Sequence, residues 1–162
     1  MSRFLLWRGH AMLALPARVY LGVIFIYASI HKIADPGTFA LDVATYDLLP
    51  LVLVNAMAII MPPIEFVAGV LIIVGWRTRA AGLLITAMMG IFVVAVSMAL
   101  AKGLDTSCGC FASQAMEEDP ITGLTVLRDV VWMLLGAYVV LFDRRPLGVD
   151  GFLMRRREND AG

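Results

Sequence analysis

Residues 80–101 read AAGLLITAMMGIFVVAVSMALA, an apolar run without one charged side chain. About 20 such residues in a helix, rising about 1.5 Å each, cross roughly 30 Å of hydrocarbon. A helix apolar on every face belongs in a large core or a bilayer, and this chain is too short for the first. Three further stretches qualify by the same measure: residues 11–33, interrupted by Pro16 and Arg18; residues 51–75, carrying Pro62, Pro63 and Glu65; and residues 124–142, with Arg128 and Asp129 near the start. Composition agrees. The 162 residues are 60% hydrophobic and 16% charged, with a mean hydropathy of +0.85, whereas soluble domains are nearer half apolar and a quarter charged. The expected fold is an all-α integral membrane protein, a single four-transmembrane-helix bundle.

The first span is too long for the apolar part of a signal peptide and no A-x-A-like site follows it, so it is read as retained. Basic residues set the expected orientation. Arg3 and Arg8 precede span one, Arg77 and Arg79 fill the turn between spans two and three, and Arg144, Arg145, Arg155, Arg156 and Arg157 follow span four. Four crossings put all of these on one side, which the positive-inside rule makes cytoplasmic. Residues 1–10 and the basic tail 143–162 are then cytoplasmic, and loops 34–50 and 102–123 lie outside. The formal net charge is zero, and nothing in it points to nucleic acid.

In the first outer loop, Asp35-Pro36 has the form of a helix start, an N-cap carboxylate followed by proline at the first helical position. Phe39, Val43 and Tyr46 recur at helical spacing and Pro50 closes the segment, which predicts a short interfacial helix. The second outer loop holds the two cysteines, Cys108 and Cys110, in the sequence CGCF. Outside the membrane disulfides form and persist. Cα atoms two residues apart, about 5.5–7 Å, fall within or near the span of a disulfide. So small a ring is strained, and strained or exposed disulfides are the labile ones. A reactive redox couple, a passive loop staple and half of a metal site all remain open for this pair. No third ligand stands nearby, and no metal is expected.

Two ionisable residues lie at membrane depth. Arg18 is about 9–10 Å from the inner end of span one and Glu65 about 15 Å from the inner end of span two. Groups at such depth usually face the bundle interior and pair, so an Arg18–Glu65 pair is expected, with a proton or ligand role for Glu65 beside the Pro62-Pro63 kink as the alternative. At the outer rim stand His31, Lys32, Arg128 and Asp129, with Lys32–Asp129 as a plausible pair and snorkelling to the interface as the plainer account. A quinone head group or a partner's thiolate meets this rim first. Gly82, Thr86 and Gly90 form a small-xxx-small ladder that lets helices approach closely. Met57 and Met61, also four apart, read as packing.

These features in this order resemble the MauE/DoxX family of redox-associated bacterial membrane proteins. The resemblance rests on Arg18, Leu21-Gly22 and Phe25; Lys32 and Asp35-Pro36; Tyr46 through Leu49-Pro50; Pro63, Glu65 and Gly69; Arg77; Cys108-Gly109-Cys110-Phe111; and Arg128-Asp129. It covers roughly residues 15–142. A glycine usual in the family after CGCF is Ala112 here. The resemblance implies a four-helix bundle in the bacterial cytoplasmic membrane with the cysteines facing the periplasm. Proteins like MauE are associated with maturation of methylamine dehydrogenase, and those like DoxX with thiol or sulfur redox systems. The implied partner is a periplasmic thioredoxin-like or substrate protein, in a homo- or hetero-oligomer.

The leading functional expectation is a thiol–disulfide oxidoreductase component. Cys108 and Cys110 are its catalytic pair; Arg128, Asp129, Lys32 and His31 support them at the rim, and a cation there lowers a thiol pKa. One cysteine pair does not make a full relay, so either a partner's cysteines or direct exchange with a terminal acceptor, expected to be a quinone, completes it. A non-catalytic assembly subunit is the second class. Small-solute or ion transport, resting on Glu65 and the proline kink without an inverted repeat, is the third.

Overall fold

The computed structural model describes residues 10–103, 123–143 and 148–160. Among them the elements are all α-helices: α1 (His10–Ala34), α2 (Pro36–Thr45), α3 (Leu51–Val74), α4 (Thr78–Ala101), α5 (Gly123–Phe142) and α6 (Val149–Asp160). Four of these, α1, α3, α4 and α5, are long and apolar enough to cross a membrane. Their outward faces are apolar: Val52, Ile59, Ile91, Leu134 and Leu141 all stand exposed. No water-soluble monomer presents so continuous an apolar surface, and a bilayer removes its cost.

Helix ends follow local chemistry. The Asp35 carboxylate accepts from the Thr38 backbone N–H at 3.0 Å and from the Thr38 hydroxyl at 2.7 Å, and Pro36 opens α2 as expected. Those bonds, the hydroxyl first, hold the Asp35 carboxyl below its ordinary value. Helix α3 runs unbroken through Pro62 and Pro63, and stops where Gly75 turns left-handed at φ 75°. There the N–H groups of Gly75 and Trp76 both donate to the Leu71 carbonyl, at 3.0 and 3.1 Å.

The bundle is built from two intimate helix pairs, α1 with α3 and α4 with α5, which then pack on one another. Each pair meets over glycine. A Cβ placed on Gly22 would lie 2.8 Å from the Gly69 carbonyl oxygen, and one on Gly69 would lie 3.0 Å from that of Gly22. A Cβ on Gly136 would lie 2.6 Å from the Thr86 hydroxyl. The ladder read in α4 is therefore only partly used: Gly82 and Thr86 face α5, whereas a Cβ on Gly90 meets nothing nearer than the Met133 sulfur at 3.7 Å. Helix α2 lies against α3, with Phe39 and Val43 packed on Val54 and Ala58.

One end of the bundle is closed by a contact from far along the chain. Arg77 precedes α4 in a left-handed conformation, φ 49°, and gives that helix no side-chain cap. Asp150 of α6 supplies one. Its carboxylate accepts from the N–H of Arg77 at 3.0 Å and of Thr78 at 2.9 Å, and from the Thr78 hydroxyl at 3.2 Å. Its own N–H donates to the Gly75 carbonyl at 2.9 Å. The start of α1, the Arg77 turn and α6 thus share one end. Lys102, whose Nζ donates to the Asp47 carbonyl at 3.3 Å, marks the other.

Two predictions follow from this packing. Gly69→Ala should destabilise the bundle by about 1–3 kcal/mol through overpacking against backbone, while Gly90→Ala leaves it unchanged or slightly firmer; reversible denaturation in micelles measures both. Asp150→Ala should cost about 1 kcal/mol at neutral pH. Partial burial pushes the Asp150 carboxyl up, but the Thr78 and Arg77 N–H groups, the Thr78 hydroxyl and the Arg18 charge together hold it below its ordinary value. A lowered folded-state pKa stabilises above the unfolded value of about 3.9. The gap between wild type and variant should therefore stay constant at neutral pH and close as pH falls through the folded value. A gap that widens in acid contradicts the assignment.

Candidate functional site

Among the described residues two ion pairs are buried in the bundle, and neither is the expected Arg18–Glu65 pair. Arg18 bonds Asp143 instead, Nη1 to Oδ2 at 3.1 Å with both side chains 1% exposed, and its Nε donates to the Ile72 carbonyl at 3.0 Å. Glu65 pairs with Lys32, whose Nζ lies 3.2 Å from Oε1 and 3.0 Å from Oε2. Helix geometry explains the exchange. The Gly22–Gly69 contact sets the antiparallel register, and Glu65 then stands just over two turns, roughly 12 Å, from the level of Arg18. Side chains on a helix lean toward its N-terminus. Arg18 therefore leans away from Glu65 toward the Asp143 end, and Lys32 leans back toward it.

Lys32 is not paired with Asp129 either. Its Nζ sits 4.8 Å above the Phe39 ring centroid, so the ammonium is held between a carboxylate and an aromatic face. Asp129 is fully buried rather than snorkelling. Its Oδ1 accepts from its neighbour Arg128, Nε at 3.2 Å, and its buried Oδ2 has no hydrogen-bond partner among the described residues. The Arg128 guanidinium stacks over the Trp132 ring at 4.8 Å, and the Trp132 indole N–H donates to the Tyr20 hydroxyl at 3.4 Å. His31 is half-buried, its ring edge-on to Tyr27 at 4.9 Å. Tyr46 is buried beside these groups, and burial first, then the charges of Asp42 and Asp129, push its phenol up, so it stays protonated.

Two cavities meet at Lys32, Met61 and Phe92. The larger, about 220 Å³, lies between α2, α3 and α4 and is walled by Phe39, Val43, Tyr46, Met57 and Ala95. The smaller, about 30 Å³, reaches inward to Glu65, Phe25 and Trp132. The Lys32–Glu65 pair stands at their junction. Met57 and Met61 belong to the cavity wall as apolar packing. Cys108 and Cys110 lie outside the described residues, between the ends of α4 and α5.

Reading the sequence alone missed Asp143 and Asp150. Both fall in the segment after span four, among the arginines that mark its topology. The signal was present: an acid immediately beyond a span, level with a buried arginine on another, is its natural counter-ion.

The fold and these polar contacts define a polytopic membrane protein with charged side chains paired inside its bundle. The chain matches the family model described as methylamine utilisation protein MauE over residues 10–142, and it belongs to that family. A relative, the methylamine utilization protein MauE of Paracoccus denitrificans, is 25% identical over 115 residues, covering 70% of this chain and 61% of that protein. This chain therefore matches less than two thirds of that relative's length. No solved structure matches it.

A double-variant cycle tests the central pair. Lys32→Met alone should cost about 3–5 kcal/mol, because a buried glutamate is left without its counter-charge, whereas Lys32→Met with Glu65→Leu should recover most of the loss. Stability of the four proteins in micelles measures the coupling, and additive losses contradict the pairing.

Proposed function

We propose that this MauE-family protein is the membrane component of a thiol–disulfide pathway that matures a periplasmic protein in a bacterium, with Cys108 and Cys110 as the working pair. What supports this reading is a cysteine pair that the sequence sets between the last residue of α4, Ala101, and the first of α5, Gly123, and those helix ends share the end of the bundle that holds Lys32, Arg128 and Asp129. Cations beside a thiol favour the nucleophilic thiolate. The arginines of the opposite end anchor it in the cytosol by the positive-inside rule. That orientation gives the thiols an oxidising compartment.

In the proposed cycle a client thiolate attacks one sulfur of the Cys108–Cys110 disulfide, and the other sulfur leaves as a thiolate. A second client thiolate resolves the mixed disulfide, so the client gains an S–S bond and the pair holds two electrons as thiols. A lipid-soluble quinone takes those two electrons and two protons and restores the disulfide. The client is a secreted, disulfide-bearing protein. Methylamine utilisation, the process in the relative's name, is the system this reading assigns to it.

Trapping in intact cells tests the proposal. After mild reduction both cysteines should react with a membrane-impermeant maleimide, and without reduction neither should. Cys108→Ser with Cys110→Ser should abolish client oxidation. If the doubly substituted protein still supports maturation, the chain is a scaffold and the redox reading fails.

A further inference from the structure

We propose that the cavity between α2, α3 and α4 seats the ring of a neutral, lipid-soluble carbonyl compound of the quinone class, with Lys32 donating a hydrogen bond to a ring carbonyl. This deepens the thiol–disulfide reading and rests on it for its chemistry, though not for binding. Four observations carry it.

Size comes first. An apolar cavity of about 150 Å³ takes a benzene ring, and this one, at about 220 Å³, has room for a ring with substituents. The walls are next. Phe39, Tyr46 and Phe92 offer aromatic surface to a planar ring, and the remaining wall is aliphatic or methionine.

Charge then selects the class of ligand. Lys32 is the one charged residue lining the cavity among the described residues, and Glu65 already balances it. An anionic head group would meet the carboxylate behind the ammonium and find no spare cation. A neutral acceptor meets no such penalty. The ammonium has three N–H groups. With two contacts to the Glu65 oxygens, at 3.2 and 3.0 Å, and the Phe39 ring centroid 4.8 Å from Nζ, the remaining N–H is the one proposed to meet a carbonyl oxygen.

Access completes the case. Ile91, Val94 and Met98 line the cavity and are 63%, 58% and 45% exposed on the outer apolar face of α4. The cavity therefore opens sideways into the bilayer, where an isoprenoid tail remains while the ring enters. It lies next to the last turn of α4, from which the cysteine segment departs. In the proposed exchange the two S–H bonds of Cys108 and Cys110 break and an S–S bond forms. Two electrons and two protons pass to the ring, whose two carbonyls become hydroxyls.

Photolabelling with an azido-decylquinone, on the full-length protein in phosphatidylcholine nanodiscs, tests the seat. Label should map to residues 39–49 and 91–98, and decylubiquinone should compete for it while decylbenzene, of the same tail without carbonyls, does not. Ala95→Trp, which fills the cavity, should weaken labelling at least about tenfold, a loss of about 1.4 kcal/mol, with helix content unchanged by circular dichroism. The paired variant Lys32→Met/Glu65→Leu should weaken it comparably. Equal competition by decylbenzene, or label elsewhere on the bundle, overturns the proposal, and that result stands on the wild-type protein even if a variant misfolds. Cys108→Ser with Cys110→Ser should label as wild type. Failure to label while the cysteines still cycle in cells therefore removes the seat and leaves the thiol reading intact.

Discussion

The approach of Gly22 to Gly69 governs the interior of this bundle. Backbone meets backbone there, since a Cβ on Gly69 would lie 3.0 Å from the Gly22 carbonyl oxygen, and no other register of α1 on α3 brings two glycines together at that depth. Once that contact is made, the level of every polar group on the two helices is settled. Glu65 faces a stretch of α1 that holds no arginine, and the cation within reach is a lysine leaning back from the far end of the helix. The ion pairing is a consequence of small-residue packing rather than its cause. This ordering suits a membrane, where close van der Waals contact replaces the hydrophobic effect as the force that joins helices.

The two ends of the bundle then do different work. At the Arg77 end, polar contacts are structural. Arg18 ties α1 to the Ile72 carbonyl of α3 and to Asp143 beyond α5, and Asp150 caps α4 from α6. These contacts knit together three segments distant in sequence. At the other end, polar groups surround space. Lys32 stands at the junction of two cavities, Tyr46 keeps its proton, and Asp129 buries one carboxylate oxygen without a partner among the described residues. A chain that spent its buried charge only on stability would have no reason to leave room around it.

The spans and the short helix α2 were legible because each rests on a signal local in sequence. The spans announce themselves by apolar length, and α2 by Asp35-Pro36 with Phe39 and Val43 at helical spacing. The pairing of buried charges is not legible from depths measured along each helix from its end. Pairing depends on the register between helices and on the direction a side chain leans, neither of which is local. Both were nonetheless within reach. Gly22 and Gly69 are among the residues that carry the family resemblance, and matching them sets the register; the N-terminal lean of helical side chains then sends Arg18 one way and Lys32 the other. Asp143 and Asp150 were hidden by their neighbours, since a cluster of arginines draws the eye to topology. The cavity had no sequence signature at all. Its walls are residues that elsewhere would be ordinary packing, and three helices distant in sequence contribute them.

The energetics of the Lys32–Glu65 pair bear on what it is for. Burying two charges costs several kcal/mol each, and their attraction does little more than repay that, so two apolar side chains of the same volume would hold the helices together as well. What apolar residues would not supply is a hydrogen-bond donor fixed at one point in an oily cavity. An unpaired lysine would not supply it either, because at that depth its long side chain would reach for the interface. The glutamate holds the lysine in place while cancelling the field that would draw anions. The pair is thus best understood as one neutral, dipolar group with a donor pointing into space, and that is the property a carbonyl-bearing guest from the bilayer requires.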